Sequence, residues 1–240
     1  MSTQLNPAVS VILPILNEER DLAQCISAIL KQDYAGDLEI ILALGPSTDN
    51  TNKIAQQLAV SDSRIKLVSN PTGKTATALN LAIAAASNEI ICRIDGHAEI
   101  SDSYIKTVVE IMNQTGAVNV GGLMQADAEH GFQAVVAIAM RSKIGVGASK
   151  FHTGGEAGPA DTVYLGTFKK SAILQAGGFD EKYIRAQDWE LNHRLRLNGG
   201  VIWFDPRLIV TYRPRDTFAK LAKQYYEYGR WRRADRKSVV

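Results

Sequence analysis

Asn88-Glu89-Ile90-Ile91-Cys92-Arg93-Ile94-Asp95-Gly96-His97-Ala98-Glu99-Ile100 is the stretch whose reading decides the fold. Four of the five residues from Ile90 to Ile94 are apolar, and so short a run, rich in isoleucine, reads as a buried strand rather than a helix. It stops at Asp95-Gly96-His97, which sets a carboxylate and an imidazole two positions apart at the carboxyl end of a strand. In open parallel sheets, ligands bind outside the carboxyl ends of the strands. An Asp and a His so placed can hold a divalent cation, Mn²⁺ or Mg²⁺, and the cation can hold a diphosphate. The same three residues can also do no more than shape a turn.

Toward the amino terminus the pattern repeats. Val9 to Leu13 is a short apolar strand that Pro14 is expected to end, and Asn17-Glu18-Glu19 is expected to open a helix with Leu22, Ile26, Ile29 and Leu30 at helical spacing. Glu39 to Leu44 reads as a second strand. Gly45-Pro46-Ser47-Thr48-Asp49 is then a loop able to cap a helix whose inner face carries Ile54 and Leu58. Ile65 to Val68 is a third strand, followed by the loop Asn70 to Lys74 and an alanine-rich helix from Thr75 to Ala86. Strand and helix alternating in this way predict right-handed βαβ units and a Rossmann-like, mainly parallel α/β sheet flanked by helices. The loops Pro14–Glu18, Gly45–Asp49 and Asp95–His97 all follow strands directly, so they are expected to gather on one edge of that sheet.

Beyond Ile100, Ile105, Val108, Val109 and Met112 mark a helix, Ala117 to Leu123 a strand, and Gln133 to Ser142 another helix. Gly145 to Asp161 is glycine-rich and without periodicity, and is expected to be a structureless lid or acceptor loop. Tyr164 to Lys169 reads as a strand, with a short helix from Ser171. Gln187-Asp188-Trp189-Glu190 begins a helix that Gly199-Gly200 ends. Val201 to Phe204 and Leu208 to Tyr212 read as two short strands, and Thr217 to Lys237 as a basic helix.

The 240 residues suffice for one large α/β domain or two small ones, and 45% hydrophobic with 22% charged residues is ordinary for a globular protein. A net charge of +2 is too small to argue for a nucleic-acid partner, and none is expected. The basic excess is local: ten Lys/Arg face three Asp/Glu between Arg207 and Lys237. Cys25 and Cys92 both fall among apolar residues, which predicts buried free thiols and a reducing compartment. The amino terminus has neither a basic nor an apolar leader segment, and no run reaches the ~18 apolar residues of a membrane span. A cytoplasmic protein is expected.

Taken in order, VSVILPILNEE, the STDNT loop, NPTGKTATALN, RIDGHAEI, GGFDEKYIRAQDWELNHRLR and YGRWR resemble the family 2 glycosyltransferases of the GT-A fold. The resemblance is to the branch with the succinoglycan-type exopolysaccharide transferases, and it runs from about Val9 to Trp231. It implies one GT-A domain over residues 1–240. Residues 1–123 would bind a nucleotide-sugar donor, 124–216 would hold the acceptor and the catalytic group, and 217–240 would form the basic helix. Pro14, Leu16, Asn17 and Glu18 would line the base and ribose pocket, with Ser47, Thr48 and Asp49 beside it. Lys74 and Asn80 would lie near the nucleotide sugar. Asp95 and His97 stand in the position of the DXD motif, near the ribose and the metal, and Asp188 matches the catalytic base of inverting members. The chain departs from the family pattern at Leu44-Gly45-Pro46, where a carboxylate that helps to read uracil is usual. It departs again at His97, usually a carboxylate, and at Glu227 to Trp231, where processive members carry Q-x-x-R-W.

The chemistry read from the residues runs the same way. A departing diphosphate needs a cation, and an attacking hydroxyl needs a general base, with Asp188 at a helix start the first candidate and Glu190 the second. Burial near Trp189 and the neighbouring Glu190 are expected to raise the Asp188 pKa. On the acceptor side stand Glu190, Arg230 and Trp231. A single carboxylate base without an evident nucleophile favours single displacement with inversion. Two other readings use the same sheet: a sugar nucleotidyltransferase, although the loop Pro14–Glu18 lacks glycine and arginine for a triphosphate, and a catalytically decayed nucleotide-sugar-binding partner. The implied acceptor is a glycan or a polyprenyl-linked sugar. Phe218, Leu221, Tyr225 and Tyr228 recur at steps of three and four among Lys and Arg, so the last helix can either lie on an anionic membrane, at the inner face of the plasma membrane, or pack under the sheet.

Overall fold

The computed structural model describes residues 6–126, 128, 131–140, 150–212, 217–219, 221–223, 225, 226 and 229. Strands β1 (Val9–Ile15), β2 (Leu38–Leu44), β3 (Ile65–Ser69) and β4 (Ile90–Arg93) alternate with helices α1 (Leu22–Leu30), α2 (Thr51–Ser61) and α3 (Thr75–Ala85). The four strands are parallel, in the order β3-β2-β1-β4, with Val9 opposite both Leu38 and Ile90. Side chains alternate across each strand: Val9, Val11, Leu13 and Ile15 of β1 point to one face and Ile12 to the other. Both faces are covered, which is why these strands read as nearly continuous apolar runs. The first face carries α1, α2 and the later helix α4 (Tyr104–Thr115), and the second carries α3.

The second half adds β5 (Glu99–Ile100), β6 (Asn119–Ala126), α5 (Gly131–Met140), α6 (Lys150–Thr153), β7 (Gly158–Pro159), β8 (Tyr164–Lys169), α7 (Lys170–Gln175), α8 (Gln187–Leu197) and β9 (Ile202–Tyr212). β8 runs antiparallel between β4 and β6, and the sheet continues through β9 to β5. α7 and α8 join α3 on the second face, through Ile173, Leu191 and Leu195.

Four sequence expectations are corrected. β1 does not end at Pro14 but runs through it to Ile15. The carbonyl of Ile12 faces β4 and that of Ile15 faces β2, so the missing N–H of Pro14 falls on the β4 side, where that strand has already ended at Arg93. No ladder bond is lost. α1 starts at Leu22 rather than at Asn17-Glu18-Glu19, because those residues are tied to the loop after β2. The two strands expected within 201–212 are one strand. β9 advances from Phe204 to Ile209 while β6 advances from Gly121 to Leu123, so Asp205-Pro206-Arg207 is pushed out as a bulge. Gly122 makes this possible, since a Cβ there would lie 1.8 Å from the carbonyl oxygen of Leu208. Finally, the described part of the expected lid is ordered into the fold: Phe151 packs on the core, Gly158 and Pro159 pair with β9, and Asp161 meets Arg196 at 2.6 Å. Residues 141–149 lie outside the described residues.

At the amino ends of the strands, Glu39 accepts hydrogen bonds from Ser10, Lys66, Ser87 and Asn88. Burial alone would raise its pKa, and the bonds from Lys66, Ser10 and Ser87 overcome that and hold it at about 2. This cluster fastens the end of the sheet that faces away from the site.

Candidate active site

The parallel register brings the ends of β1, β2 and β4 together, and the loops that follow are stitched to one another. The N–H of Asn17 donates to Ser47 Oγ at 3.1 Å, and the N–H of Thr48 donates to Asn17 Oδ1 at 2.8 Å. The N–H of Glu18 donates to Thr51 Oγ1 at 2.7 Å, and that of Glu19 to Asp49 Oδ2 at 3.4 Å. Asn17 takes φ 57°, a left-handed conformation that asparagine tolerates better than most residues, and this turns its side chain onto the second loop. Leu16 remains 40% exposed beside Pro46 and Gly73, an apolar ledge at a polar sheet edge. Lys74 is exposed where α3 begins, so a cation and the positive end of a helix share this edge.

Asp95-Gly96-His97 crosses directly behind the first loop. A Cβ on Gly96 would lie 2.8 Å from Ile15 Cδ1 and 3.0 Å from Glu18 Cγ, which explains the glycine between the two functional residues. His97 Nδ1 lies 2.9 Å from Glu18 Oε1, and this bond raises the imidazole pKa against the opposing effect of burial. A carboxylate on one ring nitrogen fixes the ring and leaves Nε2 for a ligand, the usual arrangement behind a metal-binding histidine. Asp95 Oδ1 accepts from Arg93 Nε at 3.2 Å and Nη2 at 3.1 Å, whereas Oδ2 makes no hydrogen bond among the described residues. The atoms left over that could hold a divalent cation are Asp95 Oδ2 and His97 Nε2. Among the described residues no cluster of three His, Cys, Asp or Glu forms a site. A pair of ligands fits a cation whose remaining positions are filled by a diphosphate and water.

Asp188 enters from the other half of the chain, on the first turn of α8. Its carboxylate pairs with Arg93 Nη1, so one guanidinium spans Asp95 and Asp188. The Asp188 side chain is 35% exposed. Burial raises its pKa and outweighs the opposing pull of Arg93, while Asp95 pushes in the same direction as burial. Ala186, just before α8, is held at φ 61°, a strained conformation for alanine that sets the angle at which the helix begins.

The structure assigns other surroundings to two of the expected residues. Both oxygens of Glu190 are taken by Arg194, with Oε2 at 2.6 Å from Nη2, and Arg194 also donates to the carbonyl of Ala176. Glu190 therefore braces α8 against α7 instead of offering a free carboxylate, and it is not among the causes of the Asp188 shift. The Asn80 amide bonds to the N–H and carbonyl of Phe179, both at 2.8 Å, and to Glu181 at 3.1 Å. It clamps the Gly177-Gly178-Phe179 turn to α3. Pro14, Leu16, Asn17, Glu18, Ser47, Asp49, Lys74 and Asp95 lie on the expected edge, and Arg230 and Trp231 lie outside the described residues. Arg93 was not anticipated. Its signal is a charge closing an apolar strand, a residue type seldom fully buried unless paired.

A mixed sheet covered on both faces, with nucleotide-type loops at one edge and a carboxylate facing them, defines the GT-A architecture. The chain belongs to glycosyl transferase family 2, whose model matches residues 10–171. It is 33% identical over 224 residues to the succinoglycan biosynthesis protein ExoA of Rhizobium meliloti (strain 1021), covering 92% of this chain and 68% of that protein. It is 28% identical over 234 residues to the dolichyl N-acetyl-alpha-D-glucosaminyl phosphate 3-beta-D-2,3-diacetamido-2,3-dideoxy-beta-D-glucuronosyltransferase of Methanococcus voltae, covering 92% of this chain and 71% of that one. Among solved structures, the mannosyltransferase PcManGT from Pyrobaculum calidifontis, in complex with GDP-Man and Mn²⁺, superposes with a TM-score of 0.69 at 20% identity, over 89% of this chain and 59% of that one. S. aureus TarS 1-349 in complex with UDP superposes with a TM-score of 0.66 at 17% identity, over 85% of this chain and 60% of that one. The chain thus spans about 60% of the length of these solved chains.

Proposed function

We propose that this chain is an inverting, metal-dependent glycosyltransferase that moves a sugar from a nucleoside-diphosphate sugar to a glycan or polyprenyl-linked acceptor by single displacement. The observation that carries the reading is the Arg93 bridge, which joins a donor-side carboxylate, Asp95, to a carboxylate on a separate element, Asp188. Leu16 and Pro46 offer an apolar ledge for a base, and Asn17, Glu18, Ser47 and Asp49 a polar rim for a ribose. Lys74 and the start of α3 suit the phosphates. Asp95 and His97 would hold Mn²⁺ or Mg²⁺, which supplies Lewis-acid neutralisation of the departing diphosphate. The acceptor hydroxyl oxygen forms the new bond to the anomeric carbon as the bond from that carbon to the phosphate oxygen breaks. Asp188 Oδ2 takes the hydroxyl proton, and the bonding electrons leave with the nucleoside diphosphate. One displacement inverts the anomeric carbon. The bound nucleotides of the solved neighbours support a donor of this class. Proton NMR of turnover with UDP-glucose, UDP-N-acetylglucosamine and GDP-mannose, all α-linked donors, should show a β-configured first product from whichever is used. An α-configured first product would overturn single displacement.

The acceptor side supports a membrane-borne substrate. The outer face of α5 exposes Val135 at 65% and Ile138 at 70%, and its inner face packs with Met124 and Leu221. Phe218 and Tyr226 are 73% and 69% exposed beside it, on a segment that carries Lys220, Lys223, Arg230, Arg232, Arg233, Arg236 and Lys237. Exposed apolar groups on a segment rich in Lys and Arg suit an anionic bilayer surface, to which each Lys or Arg adds ~1 kcal/mol. No helix among the described residues is long and apolar enough to cross a membrane. The protein is expected to float with vesicles containing phosphatidylserine at low salt, and Val135→Asp/Ile138→Asp to lose that binding. Absence of co-flotation of the wild type at low salt would exclude the membrane contact.

A further inference from the structure

We propose that Arg93 is the positioning residue that aims Asp188, tying the proton-accepting carboxylate to the carboxylate that faces the donor. The inference rests on the reading of Asp188 as base.

Nothing in the fold calls for a cation at this position. β4 is a central strand between β1 and β8, and every one of its residues is buried, Arg93 to 5% side-chain exposure. Ile91 packs on the face of the sheet covered by α3 and α8, and Arg93, two residues on, lies on the same face. An apolar residue there would extend the core, whereas a buried guanidinium loses its hydration and persists only if paired. Its pairing is divided. Nε and Nη2 both donate to Asp95 Oδ1, and Nη1 donates to Asp188 Oδ1. Each carboxylate gives the same kind of oxygen to the arginine and keeps Oδ2 clear of hydrogen bonds among the described residues. Asp95 keeps Oδ2 for the donor side and Asp188 keeps Oδ2 for the acceptor hydroxyl.

A planar fork makes this more than charge neutralisation. The guanidinium is rigid, so fixing it on Asp95 also fixes the direction in which Nη1 meets Asp188. β4 and α8 are far apart in the chain, and α8 starts from a strained residue, Ala186. The bridge thus locates the base relative to the bound donor to within a hydrogen bond. It also charge-balances two acidic groups on one sheet edge, whose mutual repulsion would otherwise disorder them.

Arg93→Lys keeps the charge and loses the fork. With the nucleotide sugar that the wild type turns over, its kcat is expected to fall ~10–100-fold, the scale of a misplaced reacting group. UDP and GDP affinity in the presence of Mn²⁺, read by titration calorimetry, should stay within ~3-fold, because the lysine ammonium can still meet Asp95 Oδ1 and leaves the Oδ2 proposed for the metal untouched. The deciding readout is the cycle with Asp188→Asn. If Arg93 acts through Asp188, Arg93→Lys/Asp188→Asn is no slower than Asp188→Asn alone, whereas a merely structural role multiplies the two losses. Arg93→Gln serves if the lysine variant does not fold. Wild-type kcat in Arg93→Lys, equal losses of kcat and nucleotide binding, or multiplicative losses in the cycle would each overturn the proposal. Wild-type turnover by Asp188→Asn would instead remove the base reading beneath it.

Discussion

Asp188→Asn is expected to fold, to bind nucleoside diphosphate as the wild type does, and to keep only ~10⁻² to 10⁻⁴ of transfer, the usual contribution of a general base. Asparagine has the same shape and can still meet Arg93 through its amide oxygen, so the Arg93 bridge persists while the proton acceptor is gone. The loss should appear in kcat, with nucleotide affinity by calorimetry near the wild-type value. The pH profile carries the same signature. Burial raises the Asp188 pKa above the ordinary aspartate value, and a base is active only when deprotonated. The acid limb of kcat/KM should therefore lie above the range of a free aspartate and vanish from the residual rate of the variant. Glu190→Gln is the natural contrast. Its carboxylate is engaged by Arg194, so the change should lower thermal stability and leave the acid limb in place. If Asp188→Asn turned over at the wild-type rate, the proton would have to go elsewhere.

What could be read from the residues follows from how locally each feature is encoded. Apolar strands and amphipathic helices in β1 to α3 are set by short periodicities, so the parallel half and its gathered loops were legible. The pairing of Asp95-Gly96-His97 with the first loop was legible as an edge, but not as a contact, because Glu18 and His97 are 79 residues apart. Arg93 escaped because its meaning depends on Asp188, 95 residues later and on another element. Pro14 misled for a similar reason: its effect depends on whether the neighbouring strand extends past it. The helix expected at Asn17-Glu18-Glu19 failed because their carboxylate and amide groups found partners across the loop, in Thr48 and Asn50, before the helix began. Glycine content suggested a free lid, but the packing of Phe151 and the pairing of Gly158 are tertiary facts that composition does not carry.

Removal of divalent metal is expected to weaken UDP or GDP binding at least ~10-fold and to reduce transfer further, since a Lewis acid contributes several kcal/mol to the charge of a leaving diphosphate. The histidine makes this dependence distinctive. An imidazole suits Mn²⁺ less well than a carboxylate suits it, so affinity should be modest and Mg²⁺ a weaker substitute. Binding through His97 needs the neutral ring, and Glu18 raises the ring's pKa by favouring the protonated form. Proton and metal therefore compete, and Mn²⁺-dependent nucleotide affinity should strengthen as pH rises through the raised His97 pKa. Glu18→Gln weakens the hold on the proton, so it should shift that rise to lower pH, while loosening the ring that Glu18 orients. His97→Ala should abolish the pH dependence and most of the difference between Mn²⁺ and chelator. His97→Asp restores the more usual carboxylate and should bind Mn²⁺ with little dependence on pH between 6 and 8, well above the ~3.9 of an ordinary aspartate. Calorimetric titration of UDP and GDP with Mn²⁺ or with EDTA, across that pH range, measures all of this in the absence of any acceptor. Equal affinity under both conditions in the wild type would leave Asp95 and His97 as turn-formers, with the diphosphate carried by Lys74 and the start of α3.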